Sequence, residues 1–309
     1  MDKKNTSGAS HLLARFRGWI QAGAALLTNL HLPNFLKGGL YQGAGKTVCV
    51  PGLNCYSCPA ASGACPIGAF QAVVGSSKFS FSYYITGFLI LLGVLLGRFI
   101  CGFLCPFGWF QELLHKIPTK KLSTKRLKPL TYLKYAVLLV MVFLLPAFLV
   151  NDVGMGDPFF CKYLCPQGVL EGAIPLSLAN SGIRAALGKL FTWKFSILLS
   201  VIALSVLFYR PFCKWLCPLG AFYALFNRVS LFQMKVDKNK CVSCGKCARA
   251  CKMDVDVTKT PNHTECIRCG MCIRACPTKA VCFRYGFGDG KDKAKAAETL
   301  QTNNNNMEE

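Results

Sequence analysis

The chain alternates between long apolar stretches and shorter basic ones. Residues 82–100, 132–150 and 191–209 are almost free of charge, and each is close to the roughly 20 residues that a transmembrane helix needs. A fourth stretch, 19–36, is weaker because polar residues and a proline interrupt it: Gln21, Asn29, His31 and Pro33. It predicts either a short span or a helix lying in the membrane interface. We therefore expect an α-helical membrane protein with about four transmembrane helices, which form a membrane domain over residues 19–230.

Basic residues are concentrated on one side of these stretches. The segment 101–131 and everything beyond Tyr209 are rich in lysine and arginine, whereas the loops 37–81 and 151–190 are not. The positive-inside rule then places the N-terminus (1–18) and the C-terminus in the cytoplasm of a multi-pass protein of the cell membrane. The composition agrees, with 52% hydrophobic and 16% charged residues. Because this topology accounts for most of the net charge of +22, no nucleic-acid partner is predicted.

Eight cysteines near the C-terminus form two copies of the spacing C-x2-C-x2-C-x3-C. This spacing supplies four thiolates to each of two [4Fe-4S] clusters, and the fourth cysteine of each run ligates the other cluster. The predicted ligands are Cys241, Cys244, Cys247 and Cys276 for cluster 1, and Cys266, Cys269, Cys272 and Cys251 for cluster 2. Zinc sites favour two C-x2-C pairs instead. Residues 231–285 thus resemble a bacterial-type two-cluster ferredoxin, an α+β domain, and a disordered tail is predicted at 286–309.

A second cysteine set accompanies the apolar stretches. The motif R-x2-C-x3-C-P-x-G begins at Arg98 and again at Arg210, each time after an apolar stretch, and related Cys-Pro elements occur in the intervening loops. A helix that starts just after a cysteine directs its free N–H groups at whatever the thiolate binds. We therefore predict an inner-face metal site, the inner set, of Cys101, Cys105, Cys213 and Cys217. An outer-face site, the outer set, would combine Cys161 and Cys165 with two of Cys55, Cys58 and Cys65.

Two alternatives to these sites stay open at this point. The cysteines could be buried free thiols, or the outer ones, with Cys49, could form disulfides in an oxidising compartment. Cys49 and Cys282 fit neither repeat and are predicted not to be ligands. Arg98 and Arg210 are expected to extend from the ends of their spans towards the lipid headgroups.

The two ferredoxin runs, the four apolar stretches and the Cys-Pro pairs together resemble the NapH-type membrane polyferredoxins and the related regulators of nitrous-oxide reductase. The resemblance covers roughly residues 12–285. It implies a protein that passes electrons between the quinone pool or cytoplasmic donors and partner redox proteins. The outer cysteines depart from the family pattern and suggest an additional redox centre.

The chemistry predicted from these residues is electron transfer rather than stand-alone catalysis. No C-x-x-C-H haem motif, nucleotide-binding fingerprint or acid/base constellation is present in the sequence. We expect two [4Fe-4S] clusters and one or two more, with redox partners such as a ferredoxin, a flavoprotein or a reductase subunit, and quinone as a further candidate. The alternatives are a quinol-oxidising subunit of a reductase complex, or a redox- or metal-sensing regulator or assembly factor.

Overall fold

The structure, a computed structural model, describes residues 3–76, 82–152 and 155–286. Within these ranges it is mostly helical, with one two-stranded sheet. The helices are α1 (Lys3–Arg15), α2 (Arg17–Thr28), α3 (Asn34–Lys37), α4 (Pro66–Gly75), α5 (Tyr83–Leu96), α6 (Phe99–Phe103), α7 (Pro106–His115), α8 (Leu133–Val137), α9 (Leu145–Phe148), α10 (Ile174–Ala179), α11 (Ser181–Ala185), α12 (Lys189–Leu207), α13 (Pro211–Trp215), α14 (Pro218–Phe226), α15 (Lys246–Ala250) and α16 (Met271–Ala275). Tighter 3-10 turns cover Ala44–Thr47 and Lys125–Tyr132, and wider π-type turns cover Leu138–Leu144, Phe160–Leu164 and Gly168–Ala173. The strands are β1 (Phe232–Val236) and β2 (Val281–Tyr285). Beyond Gly286, the predicted tail lies outside the described residues.

The C-terminal unit is a ferredoxin-type fold, as predicted. Strands β1 and β2 pair antiparallel, with Val236 opposite Val281, and enclose α15 and α16 along the chain. Their inward side chains, Met234 and Phe283, form a small apolar core with Ile273 of α16. The N-terminal helix α1 packs against β2 and α16, and Phe283 N donates a hydrogen bond to Ser10 Oγ at 3.0 Å. The two ends of the described chain therefore meet in this unit.

Two helical segments of the described chain are long and apolar enough to cross a membrane: Lys125–Phe148, a continuous run of several turn types, and Lys189–Leu207. Much of their apolar surface faces outward; Phe148 is 76% exposed and Trp193 is 59% exposed. A core helix of a water-soluble protein would bury such side chains, whereas a lipid-facing helix exposes them. The predicted spans at 132–150 and 191–209 correspond to these two segments.

The other two predicted spans are not continuous helices of spanning length. Residues 19–36 form the 12-residue helix α2, a turn and the four-residue helix α3. Residues 82–100 form α5, whose 14 residues are about 21 Å long, against a hydrocarbon core of about 30 Å. Helix α5 ends at Gly97, which adopts a left-handed φ of +55°. The prediction of about four transmembrane helices is therefore not borne out by the described residues.

Short apolar helices begin at the proline of three of the Cys-Pro dipeptides, as the sequence predicted. Helices α4, α7 and α14 each start at the proline, with the preceding cysteine at the N-cap. Proline suits this first helical position because its missing N–H would have no intrahelical acceptor there. The N-terminal ends of these helices are thereby fixed next to the cysteine thiols.

Buried charges join the ferredoxin-type unit to the helices beneath it. Glu265 pairs with Arg98, at 3.0 Å between Nη1 and Oε2, and with Lys134. Lys214 pairs with Asp254 at 2.6 Å. Arg268 donates to the carbonyl oxygens of Leu96 (2.8 Å) and Asn227 (2.6 Å). These contacts bond the ferredoxin-type unit to segments that flank the inner set.

Candidate iron–sulfur centres

The four predicted ligands of cluster 1 line one cavity at the surface of the ferredoxin-type unit: Cys241, Cys244, Cys247 and Cys276. The loop that carries Cys241 and Cys244 turns around this cavity at Gly245. Gly245 has a left-handed φ of +68°, which glycine adopts without strain. The backbone N–H of Ala280 donates to Cys276 Sγ at 3.3 Å. Cys244 is exposed, so this centre lies at the outer end of the unit.

The four predicted ligands of cluster 2 also lie together, on the side of the ferredoxin-type unit that faces the apolar helices. Burial raises the pKa of Cys266 to about 12, and the nearby thiols of Cys269 and Cys251 act in the same direction. Cys272 responds in the same way to burial and to the other three cysteines. Cys251, Cys266 and Cys269 pack against the main apolar core, whereas Cys272 packs against the small core of the ferredoxin-type unit.

The inner set is assembled from both copies of the repeat. Burial, reinforced by Cys213 and Cys101, raises the pKa of Cys105 to about 12, and burial with the other three thiols raises that of Cys217. All four thiols of the set are less than a tenth exposed. Because their pKa values are raised, Cys105 and Cys217 keep their protons at neutral pH and would release them on binding a metal. The backbone N–H of Gly220 donates to Cys217 Sγ at 3.4 Å, as expected from the helix that starts there.

The outer set lines a cavity of about 550 Å³. The cysteines in its lining are Cys49, Cys55, Cys65, Cys161 and Cys165. Burial, with Cys55 and Cys65, raises the pKa of Cys165 to about 12. Cys58 lies outside this lining, with its Sγ 3.6 Å from Asn29 Oδ1. The structure thus brings together Cys55 and Cys65 with the Cys161 and Cys165 pair, and it adds Cys49, which the sequence interpretation had set aside.

Two glutamines that the sequence interpretation overlooked hold one cysteine of each set in the same way. Gln111 Nε2 donates to Cys213 Sγ at 3.0 Å, while its Oε1 accepts from Phe212 N at 3.2 Å. Gln71 Nε2 donates to Cys161 Sγ at 3.2 Å, and its Oε1 accepts from Phe160 N at 3.0 Å. Both glutamines stand six residues after the cysteine of a Cys-Pro dipeptide, so the extended motif C-P-x-G-x2-Q was the available signal.

Glu171 occupies the corresponding position in a third Cys-Pro element. Its Oε2 accepts a hydrogen bond from Cys55 N at 3.1 Å. Burial raises the pKa of this carboxyl to about 7. Lys194 donates to the carbonyl oxygen of Cys161 at 3.0 Å, and its side chain lines the cavity of the outer set, so a cation is present there.

The inner and outer sets lie next to each other. The backbone amide of Leu53 opposes the rise in the pKa of Cys105 that burial causes, and the amide of the next residue, Asn54, does the same for Cys65, so this dipeptide lies near both thiols. A Cβ added at Gly52 would lie 2.8 Å from Cys105 Cα, so only glycine permits this approach. Because consecutive residues are about 3.8 Å apart, the prediction that the two sets lie at opposite membrane faces is wrong.

Tyr223 is fully buried beside both sets. Its hydroxyl donates to the carbonyl oxygen of Pro51 at 3.1 Å, which fixes the segment that carries Leu53 and Asn54. Burial raises the pKa of the Tyr223 hydroxyl, and nearby thiols of the inner set and of the outer cavity act in the same direction: Cys101, Cys105, Cys65 and Cys49. Its side chain is therefore part of the packing that separates the two sets.

The inner set also approaches cluster 2. Gly102, between two cysteines of the inner set, would place a Cβ 2.3 Å from the carbonyl oxygen of Ile267. Ile267 directly follows Cys266 in the chain. The loops that carry the two sets are thus in backbone contact. The inner set therefore lies between the cysteines of cluster 2 and those of the outer set.

The two arginines of the repeated motif are buried, and the expectation that they reach the headgroups is wrong. Arg98 and Arg210 are both 0% exposed. Each finds a carboxylate inside the protein: Arg98 meets Glu265, and Arg210 Nε lies 2.8 Å from Glu112 Oε1. Arg210, Arg17 and the Tyr209 hydroxyl together hold the pKa of Glu112 near 2, against the opposing effect of burial. A buried charge is stable only with such partners, which the protein interior supplies here.

The donor sets fit iron–sulfur clusters. Each consists of four cysteine thiols, with backbone N–H groups or glutamine amides directed at sulfur, as cluster sites provide. Among the described residues, no three His, Cys, Asp or Glu side chains are arranged around a single metal ion. Bound clusters would supply one-electron redox chemistry, while the protein sets their potentials through burial and hydrogen bonds.

Two family models match the chain. The 4Fe-4S binding domain matches residues 63–83, 80–125, 134–174 and 190–239, and each of these segments contains one Cys-Pro element. The 4Fe-4S dicluster domain matches residues 233–277. Proteins of the same kind include the ferredoxin-type protein NapH of Haemophilus influenzae, which is 26% identical over 150 residues, 35% of this chain and 52% of NapH. The chain belongs to the NapH-type 4Fe-4S polyferredoxins.

Other relatives widen this family. The uncharacterized protein MJ0750 of Methanocaldococcus jannaschii is 32% identical over 209 residues, which cover 64% of this chain and 77% of that protein. The regulatory protein NosR of Stutzerimonas stutzeri is 27% identical over 168 residues, 52% of this chain but 21% of NosR. No solved structure matches the chain significantly. The family establishes a ferredoxin-type iron–sulfur electron-transfer protein with [4Fe-4S] clusters.

Proposed function

We propose that this polyferredoxin conducts single electrons along a row of four iron–sulfur centres, from the surface of the ferredoxin-type unit into its membrane part. The observation that carries this proposal is the succession of the four thiol sets. The loops of cluster 2 and the inner set touch at Gly102 and Ile267, and one dipeptide, Leu53 and Asn54, serves both the inner and outer sets. Such contacts are expected where electrons pass directly between centres.

The ligands of the row are proposed as follows. Clusters 1 and 2 use the eight ferredoxin cysteines in the crossed pattern described above. The inner centre uses its four cysteines from the two copies of the repeat. The outer centre uses Cys55, Cys65, Cys161 and Cys165, because these four line one cavity while Cys58 lies outside it.

We propose a location in the cell membrane, with a redox partner docking where Cys244 is exposed. The outward apolar surfaces of Lys125–Phe148 and Lys189–Leu207 support the membrane location. At the other end of the row, the 550 Å³ cavity of the outer set is where a second partner would exchange electrons. A reductase subunit or a quinone has the appropriate redox chemistry for that role. Reduction of the clusters by a quinol analogue tests whether the partner is a quinone.

Iron and sulfide analysis of the anaerobically purified full-length protein tests the row. Four [4Fe-4S] clusters require about 16 iron atoms per chain, whereas the ferredoxin pair alone requires about 8. Cys101→Ser and Cys165→Ser should each lower the count by about 4, because each removes one ligand of a separate centre. Cys282→Ser, outside all four sets, is the matched control and should leave the count unchanged. An unaltered count in both test variants would refute the row.

A further inference from the structure

A cavity of about 200 Å³ lies where three separate parts of the chain meet. One wall is the junction of α1 and α2, the second is the C-terminal half of α7, and the third is the loop entering α16. Cys269, a predicted ligand of cluster 2, lies in the third wall. None of the chemistry described so far uses this space.

The lining of the cavity is strongly cationic. Four basic side chains and one carboxylate contribute to it: Arg15, Arg17, Lys116, Arg274 and Glu112. Glu112 is already engaged by Arg17, Arg210 and the Tyr209 hydroxyl. In the part of the chain that the structure describes, the other three cations have neither an ion-pair partner nor a side-chain hydrogen bond. Cys269 brings the negative charge of cluster 2 to one wall, but the side chains of the lining carry an excess of positive charge, which favours an anionic occupant.

The same walls are partly apolar. Trp109, Leu113 and Met271 line the cavity beside the charges. Trp19, next to the lining residue Gly18, is 78% exposed, and Leu113 is 39% exposed. Aromatic side chains with this exposure are typical of the membrane–water interface. An occupant with both an anionic group and an apolar part matches such a boundary.

We propose that this cavity binds the phosphate headgroup of an anionic phospholipid. Its volume suits a headgroup rather than a folded partner, and basic pockets between helices on the cytoplasmic side are known to bind such headgroups. Arg15, Lys116 and Arg274 would contact the phosphate oxygens. The acyl chains would extend along the exposed apolar side chains. The inference rests on the membrane location in the proposed function but not on the row of centres.

Lipid binding by the full-length holoprotein tests this site. The protein is incorporated into nanodiscs of phosphatidylcholine alone or with phosphatidylglycerol, and the lipids retained on re-extraction are measured by native mass spectrometry. We expect phosphatidylglycerol to be retained by the wild-type protein. Retention should fall at least about tenfold in Arg15→Gln/Lys116→Gln and in Arg274→Gln, since each lost phosphate contact weakens binding. Lys189→Gln, whose side chain lies outside the cavity, is the matched control.

Three outcomes would overturn the inference. They are equal retention of the two lipids, unchanged retention in both cavity variants, and displacement of the lipid by millimolar inorganic phosphate, which would indicate a site for free phosphate. Iron is counted in the same samples. A normal iron count with no lipid preference refutes the lipid site alone, whereas a low count with preserved lipid preference refutes the row of centres alone.

Discussion

Gln111 donates a hydrogen bond from its side-chain amide to Cys213 Sγ, 3.0 Å away, across a sequence separation of 102 residues. The same bond joins Gln71 to Cys161 at 3.2 Å. Each glutamine also accepts a backbone N–H from the residue before its cysteine. The first copy of the repeat therefore uses the same side-chain amide bond at both sets to orient a thiol that comes from the second copy.

Replacing Gln111 by Glu should lower the reduction potential of the inner centre. The carboxylate still accepts the Phe212 N–H but no longer donates to Cys213, and the lost bond stabilised the more negative, reduced state. A hydrogen bond of about 0.5–1.5 kcal/mol corresponds to about 20–60 mV for one electron. Redox titration followed by EPR measures the change. Gln71→Glu is the matched control, and its effect should be confined to the outer centre; equal shifts at both centres would contradict the assignment.

Tyr223→Phe should slow electron exchange between the inner and outer centres without changing the iron content. The variant removes the hydrogen bond to Pro51 that fixes the segment with Leu53 and Asn54. It should also lower the free energy of unfolding by about 1 kcal/mol. Flash-reduction kinetics measure the exchange, and thermal unfolding measures the stability. Tyr163→Phe serves as control, and a wild-type exchange rate in Tyr223→Phe would refute this role.

Glu112→Gln should destabilise the protein by about 3–5 kcal/mol, because Arg17 and Arg210 would remain buried without their carboxylate. Asp157→Asn breaks the half-exposed pair with Lys162 and should cost much less, because solvent screens that pair. Denaturant unfolding of both variants at neutral pH makes the comparison. If the two variants lost similar amounts of unfolding free energy, the buried carboxylate of Glu112 would stabilise the fold no more than an exposed one.

The stabilisation by Glu112 should depend on pH. Its pKa is held near 2 in the folded protein, below the value of about 4.3 expected for an unfolded glutamate. Because the folded pKa is depressed, the contribution is complete above about pH 4.3 and is lost as the pH falls towards 2. The difference in melting temperature between wild type and Glu112→Gln should therefore be constant from pH 7 to 5 and shrink below pH 4. A difference that grows in acid would contradict the assignment.

Cys58→Ser should leave the iron content unchanged, whereas Cys65→Ser should lower it by about 4 atoms per chain. Cys65 lines the outer cavity, while Cys58 lies against Asn29. Iron analysis of the two variants separates the candidates that the sequence left open. Loss of iron in Cys58→Ser would show that the fourth outer ligand is Cys58 instead.

The ferredoxin-type unit could be predicted from sequence because its ligands are local. Eight cysteines within 36 residues fix the loops and helices between them, and few other arrangements satisfy the spacing. The Cys-Pro helix starts were also predictable, since proline at N1 depends on one residue. The pairing of cysteines from one copy with those at the matching positions of the other followed from the repeat.

The membrane part was harder to predict, for two physical reasons. Apolar run length does not reveal where a helix breaks, and Gly97 ends α5 after 14 residues. Nor does the charge pattern reveal buried partners: Arg210 stays inside because Glu112, nearly 100 residues earlier, supplies a carboxylate. The adjacency of the inner and outer sets depends on the single approach of Gly52 to Cys105, which no spacing in the sequence encodes.

The ion pairs at Glu265 and Asp254 bear on the order in which the protein matures. Both acidic residues are synthesised after the cations that they bind beside the inner set, Arg98 and Lys214. Until the segment that carries these acidic residues has been synthesised and has docked, the inner thiols have no cover on this side. Iron and sulfide therefore have an open path to the inner site during synthesis, and docking of the ferredoxin-type unit closes it.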